Sequence, residues 1–269
     1  MVDRERRYTH GHQESVLRSH RWRTAENSAG YLLGELVPGR SLLDVGCGPG
    51  TLTADLADRV APGRVVALDA AEDVLAEARA TLDARGRSDV EVVVGDVYAL
   101  DLPDDTFDVV HAHQVLQHLG DPVAALRELR RVARPGGRVA VRDADYEAMT
   151  WWPDVPELDR WLDVYRATAR ANGAEPDAGR RLLDWARQAG FADIEASASV
   201  WCFSSEADRR WWGSLWADRC LGSSFADQAP AHGLVDAEEL DRIAAGWRRW
   251  ADAPDGWFVV VHGEVIARP

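Results

Sequence analysis

Four apolar runs in this sequence each end in polar or glycine residues that suit a ligand site. The first ends in Asp44-x-Gly46-x-Gly48-x-Gly50, the second in Asp69, the third in Gly95-Asp96 and the fourth in His113-Gln114. Glycines let the backbone turn tightly and approach a ligand closely. A carboxylate at Asp69 can accept two hydrogen bonds from a ribose diol, and one at Asp96 can accept a bond from the exocyclic amine of adenine. These residues together predict a site for a ligand that carries adenosine.

Two cofactors fit an acid after the second run, a nicotinamide dinucleotide and S-adenosylmethionine. The dinucleotide fingerprint is G-x-G-x-x-G/A, with the pyrophosphate on a helix N-terminus, but the sixth position here is Thr51. Asp44 also lies in the first turn of the loop, where its carboxylate would repel a pyrophosphate and attract the ammonium of a methionine moiety. The residues favour S-adenosylmethionine and leave the dinucleotide as the alternative.

Several stretches of the sequence resemble the class I S-adenosylmethionine-dependent methyltransferases, in their ubiquinone/menaquinone-type (methyltransferase type 11) branch. Leu42 to Thr51 looks like the first motif of that family, Leu68-Asp69 the second and Gly95-Asp96-Val97 the third. The other matching segments are 104–108, 115–122 and 129–137, so the resemblance spans roughly residues 40–143. It implies the strand order 3-2-1-4-5-7-6 with strand 7 antiparallel, and it implies that His113 contacts the cofactor.

Apolar periodicity predicts an α/β fold, with strands that alternate with helices. The first five strands are expected at 41–45, 65–69, 90–94, 107–113 and 138–141, and the last two at 194–203 and 257–266. Such alternation gives a Rossmann-like sheet with helices on both faces. Residues 1–36 are expected to form a polar N-terminal helical lid. Residues 37–269 are expected to form the methyltransferase domain, with helical cap insertions at about 146–175 and 206–254.

The expected ligand contacts lie in three groups. The cofactor, whose product is S-adenosyl-L-homocysteine, is expected to contact Asp44, Gly46, Cys47, Gly48, Asp69, Ala70, Asp96, Val97, His113 and Gln114, with Tyr8 and Arg23 from the lid. His113 and His118 are the expected catalytic residues, as a base or as positioning groups, because unperturbed imidazoles titrate near neutrality. The predicted acceptor pocket contains His20, Trp22, Tyr146, Trp151, Trp152, Trp211 and Trp212. His10 and His12 are either solvated or part of the lid.

The twelve tryptophans bear on the methyl acceptor. None lies within 40–143, and eleven follow that span. Neighbours on a helix diverge by about 100°, so the pairs Trp151-Trp152 and Trp211-Trp212 cannot all face one core. Indoles that line a pocket suit a flat or apolar molecule. We therefore expect in-line transfer of a methyl group to a small aromatic or apolar organic acceptor, with a base only if the acceptor must lose a proton.

Composition excludes several other classes of function. The 269 residues contain no lysine, which removes Walker-type phosphate loops and lysine Schiff bases. A net charge of -14 argues against a nucleic-acid partner, and no apolar run approaches the ~20 residues of a membrane helix. Three cysteines without metal spacing indicate a reduced, cytoplasmic protein with no metal site. We expect this protein to act in small-molecule metabolism. A macromolecular methyltransferase, a non-catalytic adenosylmethionine-binding regulator and a homodimer stay open.

Overall fold

The structure is a computed structural model that describes residues 14–269, with side chains from Arg18 onward. Its strands are β1 Leu42–Val45, β2 Val65–Asp69, β3 Glu91–Val94, β4 Phe107–His113, β5 Ala133–Trp152, β6 Asp193–Phe203 and β7 Trp257–Arg268. Its α-helices are α1 Glu14–Arg21, α2 Ala25–Ser28, α3 Thr51–Val60, α4 Glu72–Ala84, α5 Pro122–Val132, α6 Pro156–Ala171, α7 Leu182–Gln188, α8 Glu206–Gly222, α9 Ser224–Ala231 and α10 Ala237–Asp252. Among these described helices, none is long and apolar enough to cross a membrane.

The strands form one seven-stranded sheet in the order β3-β2-β1-β4-β5-β7-β6, with β7 antiparallel, which confirms the predicted topology. β1 lies between β2 and β4, and its Leu43 is in register with Val66 of β2 and Val110 of β4. All four residues of β1 are buried, as expected for a central strand covered on both faces. The carboxyl ends of β1 to β4 therefore lie along one edge of the sheet.

Two apolar layers cover the faces of this sheet. On one face, Leu126 of α5 and Leu182 of α7 pack in the same core as Val110. On the other face, Leu56 of α3 packs with Leu32 and with Val109 of the sheet. Consecutive residues of β4, Val109 and Val110, thus enter opposite cores, as expected for a strand that is buried on both faces.

The segment before the first strand differs from the predicted polar helix. Its described part forms α1, α2 and a 3-10 helix at Gly30–Glu35. A new helix begins after Thr24 because its side chain accepts from the Asn27 backbone while the Asn27 side chain accepts from the Thr24 backbone. The prediction of one polar helix is therefore wrong for this part, since apolar residues of the segment, among them Leu32, enter the core.

The fifth strand is much longer than predicted, because it continues from Ala133 to Trp152. The sequence pattern suggested an end near Val141, since the polar residues Arg142, Asp143 and Asp145 follow. These three side chains are buried all the same. Buried polar groups are tolerated only where partners satisfy them, and hydropathy alone could not reveal those partners.

The described chain divides into two compact units. One contains His20–Ala144, Ala178–Ser199 and His262–Pro269, and it holds the ends of β1 to β4. The other contains Asp145–Asp177, Val200–Val261 and the described residues up to Ser19. The core of this second unit is aromatic, with Trp161, Trp216 and Trp247 in edge or stacked contact. The lid and cap boundaries given above stay predictions.

Candidate active site

The glycine loop after β1 has a shape that only glycine permits at two positions. Gly46 has φ +72° and donates its N–H to the Leu68 carbonyl over 2.7 Å. A Cβ at Gly46 would lie 2.4 Å from Cγ2 of Val115. Gly50 has φ +79° and precedes α3 without a side-chain cap. The first N–H groups of a helix have no partner within the helix, so this loop offers backbone donors at the start of α3.

Asp44 lies on β1 and not in the first turn of the loop as expected, and it is only 2% exposed. Its Oδ2 accepts from the Thr53 hydroxyl over 2.6 Å, and its Oδ1 is 2.8 Å from Nδ1 of His111. The carboxylate thereby ties β1 to α3 and β4, and each oxygen keeps a further lone pair. Its contact with a methionine ammonium stays a prediction. Sequence reasoning missed His111, although its i,i+2 spacing to His113 places both on one face of β4.

The acids at the end of β2 and just after β3 are accessible at the same edge of the sheet. Asp69 is half-buried, and it accepts from the backbone N–H of Gly48 over 3.0 Å and of Ala71 over 3.1 Å. Each of its oxygens keeps a lone pair, as a ribose diol requires. Asp96 is exposed and accepts from the Tyr98 N–H. Of the remaining predicted contacts, Cys47 and Val97 are buried and Ala70 is exposed.

The residue after β4 has strained backbone geometry that its neighbours hold in place. Gln114 has φ +55°, an uncommon conformation for a residue other than glycine. Its Oε1 accepts from Nη2 of Arg23 over 2.6 Å, and its Nε2 lies 3.0 Å from Nε2 of His262. Strained conformations of this kind persist only where the surroundings enforce them, and they cluster at functional sites. The sequence offered no signal for His262, which lies 148 residues away.

Two residues of the N-terminal segment also lie in this unit. Nδ1 of His20 is 3.5 Å from the point where a Cβ at Gly48 would stand. The His20 carbonyl accepts from the Thr51 hydroxyl over 3.1 Å. The structure therefore brings His20, which we assigned to the acceptor pocket, against the glycine loop after β1. Trp22 is half-buried, and its carbonyl accepts from the Asn27 side chain.

The two expected catalytic histidines are neutral at physiological pH. Burial, together with the positive charges of Arg23 and Arg142, lowers the pKa of His113 well below its ordinary value. Burial, with a contribution from Arg23, lowers the pKa of His118 to about 3. Such imidazoles are weak proton acceptors, because a base works best with a pKa near the working pH. Burial raises the pKa of Asp143, which the sequence did not single out, to about 7.

The predicted pocket residues of the other unit fall into two sets. Tyr146 and Trp212 are buried, with Tyr146 stacked on Tyr165 at 4.3 Å and Trp212 on Phe203 at 4.3 Å between ring centroids. Trp151, Trp152 and Trp211 keep exposed surface, and Trp152 is 53% exposed. The pair Trp151-Trp152 lies on β5 and not on a helix, so its members differ because strand neighbours point to opposite faces.

Three predicted residues, Tyr8, His10 and His12, lie outside the described residues. Within the described range, no group of three or more His, Cys, Asp or Glu residues is arranged to hold a metal ion.

Comparison with known proteins decides the family. Residues 43–141 match the family model described as "Methyltransferase domain". An uncharacterized methyltransferase of Schizosaccharomyces pombe is 35% identical over 96% of this chain and 95% of its own length. The chain belongs to the S-adenosylmethionine-dependent methyltransferases. The demethylmenaquinone methyltransferase of Lactococcus lactis is 31% identical to this methyltransferase over 61% of this chain and 69% of its own.

A solved structure extends the comparison to the fold. The phosphoethanolamine N-methyltransferase 2 of Haemonchus contortus, in complex with S-adenosyl-L-methionine, matches with a TM-score of 0.58 at 16% identity. The match covers 95% of this methyltransferase and 57% of that chain. The family and its neighbours with bound cofactor indicate S-adenosylmethionine as the cofactor here. The residues fit that molecule, because the glycine loop offers backbone donors and Asp69, which accepts from Gly48 of that loop, keeps further acceptor lone pairs.

Proposed function

We propose that this methyltransferase moves the methyl group of S-adenosylmethionine to a small organic acceptor by in-line displacement. The observation that carries the proposal is the glycine loop with Asp69 and Asp96 at the ends of three neighbouring strands. In this proposal Asp69 accepts from the ribose hydroxyls and Asp96 from the adenine amine. The methionine end lies by Asp44 and Gln114, with Arg23 as a charged partner for its carboxylate.

The electrostatics of the site suit a cationic methyl donor. The sulfonium loses its charge as the methyl leaves, so the protein gains most by aligning the nucleophile and excluding water. A protonated imidazole near the sulfonium would repel it. The lowered pKa values of His113 and His118 keep both rings uncharged at pH 7. We therefore propose positioning roles for these two histidines.

The proposed acceptor is small and either aromatic or apolar. Its support is the chemistry of the residues that we assigned to it, of which Trp151 and Trp211 keep exposed indole surface while Trp151 stacks on Phe258 at 5.6 Å. Flat acceptors gain both area burial and stacking on such rings. Two of the compared relatives are named for different acceptors, demethylmenaquinone and phosphoethanolamine.

A labelled-methyl assay tests the proposal. The protein is incubated with methyl-tritiated S-adenosylmethionine and a panel that contains a reduced short-chain demethylmenaquinone, a phenol, a carboxylate and a primary amine. We expect transfer to an aromatic member, and Trp151→Ala or Trp211→Ala should raise its KM at least fivefold. Trp257→Ala, which removes an exposed tryptophan of the same unit, is the control and should leave KM unchanged. Equal KM values in all four proteins would refute the acceptor assignment.

The alternative is a regulatory protein that binds the cofactor without turnover. Saturable binding of S-adenosylhomocysteine without label transfer to any panel member would favour that alternative. We also propose that the enzyme acts in the cytoplasm on small metabolites, because Cys47, Cys202 and Cys220 are free thiols. Homodimerisation stays a prediction.

A further inference from the structure

Two carboxylates beside the glycine loop after β1 have no arginine partner within the described residues. Asp44, which lies on β1, accepts from the Thr53 hydroxyl and lies 2.8 Å from Nδ1 of His111. Asp69, which ends β2, accepts from two backbone N–H groups. Because β1 and β2 are parallel neighbours, the two acids bring their negative charge to the same edge of the sheet.

Two other acids of the same sheet do have arginine partners. Glu264 of β7 is 4% exposed and lies 3.1 Å from Arg142. Asp108 of β4 is half-buried and lies 2.7 Å from Arg134. The chain contains 31 basic residues, so cations are available to pair with acids. The described side chains nevertheless leave the acids at the glycine loop without a positively charged partner of this kind.

The hydrogen bonds of His111 favour an uncharged ring next to Asp44. Its Nδ1 faces a carboxylate oxygen, so this nitrogen carries a proton. Its Nε2 is buried and has no hydrogen-bond partner within the described residues. A second proton there would bury both a positive charge and a donor without an acceptor, which costs more than a neutral ring with an unused lone pair. The buried pair therefore keeps the negative charge of its carboxylate.

The negative charge acts on the glycine loop itself. Cys47 of this loop is 7% exposed, and burial raises the pKa of its thiol well above the ordinary value. The charges of Asp44 and Asp69 raise the pKa of this thiol further. Solvent screens buried charges much less than exposed ones, so their attraction extends beyond contact distance. A cation bound against the loop would be stabilised even where it touched neither carboxylate.

We propose that Asp44 is a specificity-determining residue that makes this methyltransferase bind S-adenosylmethionine more tightly than S-adenosylhomocysteine, with His111 as the positioning residue that holds its carboxylate. This role rests on the proposed binding of the cofactor at the glycine loop. The two molecules share the adenosine, the ammonium and the carboxylate, and they differ in the methyl group and the charge of the sulfonium. The buried carboxylate attracts the donor and loses that attraction when the methyl leaves, which favours release of the product. The attraction contributes to binding and not to the rate of transfer, because it weakens on the way to the transition state.

Isothermal titration with three ligands tests this proposal. The ligands are S-adenosylmethionine, S-adenosylhomocysteine and sinefungin, an analogue with a carbon-bound ammonium near the position of the sulfonium. For the unchanged protein at pH 7, both cationic ligands should have Kd values roughly tenfold below that of S-adenosylhomocysteine. Asp44→Asn removes the charge at nearly constant volume, and it can still accept from Thr53 and donate to the other tautomer of His111. In this variant the preference for the cationic ligands should fall to about twofold or less.

Three further variants separate charge from structure. Asp73→Asn makes the same change at an exposed position of α4 and should keep the preference, because solvent screens that charge. His111→Asn places an N–H near the position of Nδ1 and should also keep it, whereas His111→Leu removes the bond to Asp44 and should reduce it. A loss of general stability would weaken all three ligands equally and leave their ratio unchanged. Equal ratios in His111→Asn and His111→Leu would overturn the positioning role.

The salt dependence of the preference tests the proposal without any variant. The unchanged protein is titrated in about 0.05 M and about 0.5 M salt. A preference that arises from the buried Asp44 should change less than twofold between them. A preference that disappears in high salt would arise from the net surface charge of the chain, which is -14, and would overturn the role of Asp44.

The titrations also separate this inference from the proposed function. Equal or tighter binding of S-adenosylhomocysteine by the unchanged protein would overturn the inference even though the cofactor site was confirmed. An unchanged preference in Asp44→Asn would overturn it as well. Absence of binding for all three ligands would instead refute the proposed function, and the inference with it.

Discussion

The buried ion pair between Arg142 and Glu264 gives a prediction whose size follows from the structure. The side chains are 1% and 4% exposed, and Nε of Arg142 donates to Oε1 of Glu264 over 3.1 Å. Ser199 and Ser197 donate to the same carboxylate. Burial lowers the pKa of Arg142 to about 10, so the guanidinium stays charged at pH 7. Glu264→Gln would therefore leave a buried positive charge without its counter-ion.

Loss of one partner of a buried pair costs about 3–5 kcal/mol. For a chain of 269 residues this corresponds to a fall in Tm of about 5–9 °C. The double variant Arg142→Met with Glu264→Leu removes both charges and should recover more than half of that loss, because replacing such a pair with apolar groups is often neutral. Differential scanning calorimetry at pH 7 measures the Tm of both variants against the unchanged protein.

The control is the exposed pair of Arg64 and Glu91 at the β3 edge of the same sheet, with side chains 46% and 49% exposed. Glu91→Gln should cost less than about 1 kcal/mol, since solvent screens such pairs. A fall in Tm for Glu264→Gln no larger than the fall for Glu91→Gln would contradict the assigned cost of the unpaired Arg142 charge. An apolar double variant less stable than the single variant would contradict it equally.

Three further predictions concern the cofactor site and its surroundings. Asp69→Ala should weaken S-adenosylhomocysteine binding in calorimetry by about 1–3 kcal/mol, or roughly 5- to 150-fold, whereas alanine at the exposed Asp73 should change it less than twofold. Gly46→Ala should abolish that binding because its Cβ meets Val115, while alanine at Gly86, which has φ +70° in open space, should retain it. The raised pKa of Asp143, about 7 against an ordinary 3.8, means that the unfolded state loses this proton first as pH rises. The free energy of unfolding should then fall by about 3 kcal/mol between pH 4 and 7, and Asp143→Asn should remove that slope in urea titrations.

Local patterns in the sequence were enough to predict the edge of the sheet where the cofactor is proposed to bind. An apolar run followed by glycine or an acid marks a buried strand and its carboxyl end. Asp44, Asp69 and Asp96 could therefore be placed on β1, at the end of β2 and just after β3 without knowledge of distant contacts. The resemblance then supplied the strand order, which the sheet confirms.

Residues joined by long-range pairing could not be predicted in this way. Glu264 meets Arg142 across 122 residues, and His262 meets Gln114 across 148. Nothing local distinguishes such side chains from solvated ones, because their burial depends on which strands become neighbours. The same limit explains why β5 was predicted to end too early. Its charged residues after Val141 are typical of a loop in the sequence, and only their partners in the fold show that they are buried in a strand. The positions of the tryptophans likewise indicated which segments would be rich in aromatic side chains, but they did not indicate which rings would stay exposed.

Isothermal titration with S-adenosylhomocysteine and with NAD on one sample tests the central claim most directly. We predict saturable one-to-one binding of S-adenosylhomocysteine and no heat of binding with NAD, because the Asp44 carboxylate on β1, next to the glycine loop, would repel a pyrophosphate. Saturable NAD binding without any binding of S-adenosylhomocysteine would contradict it.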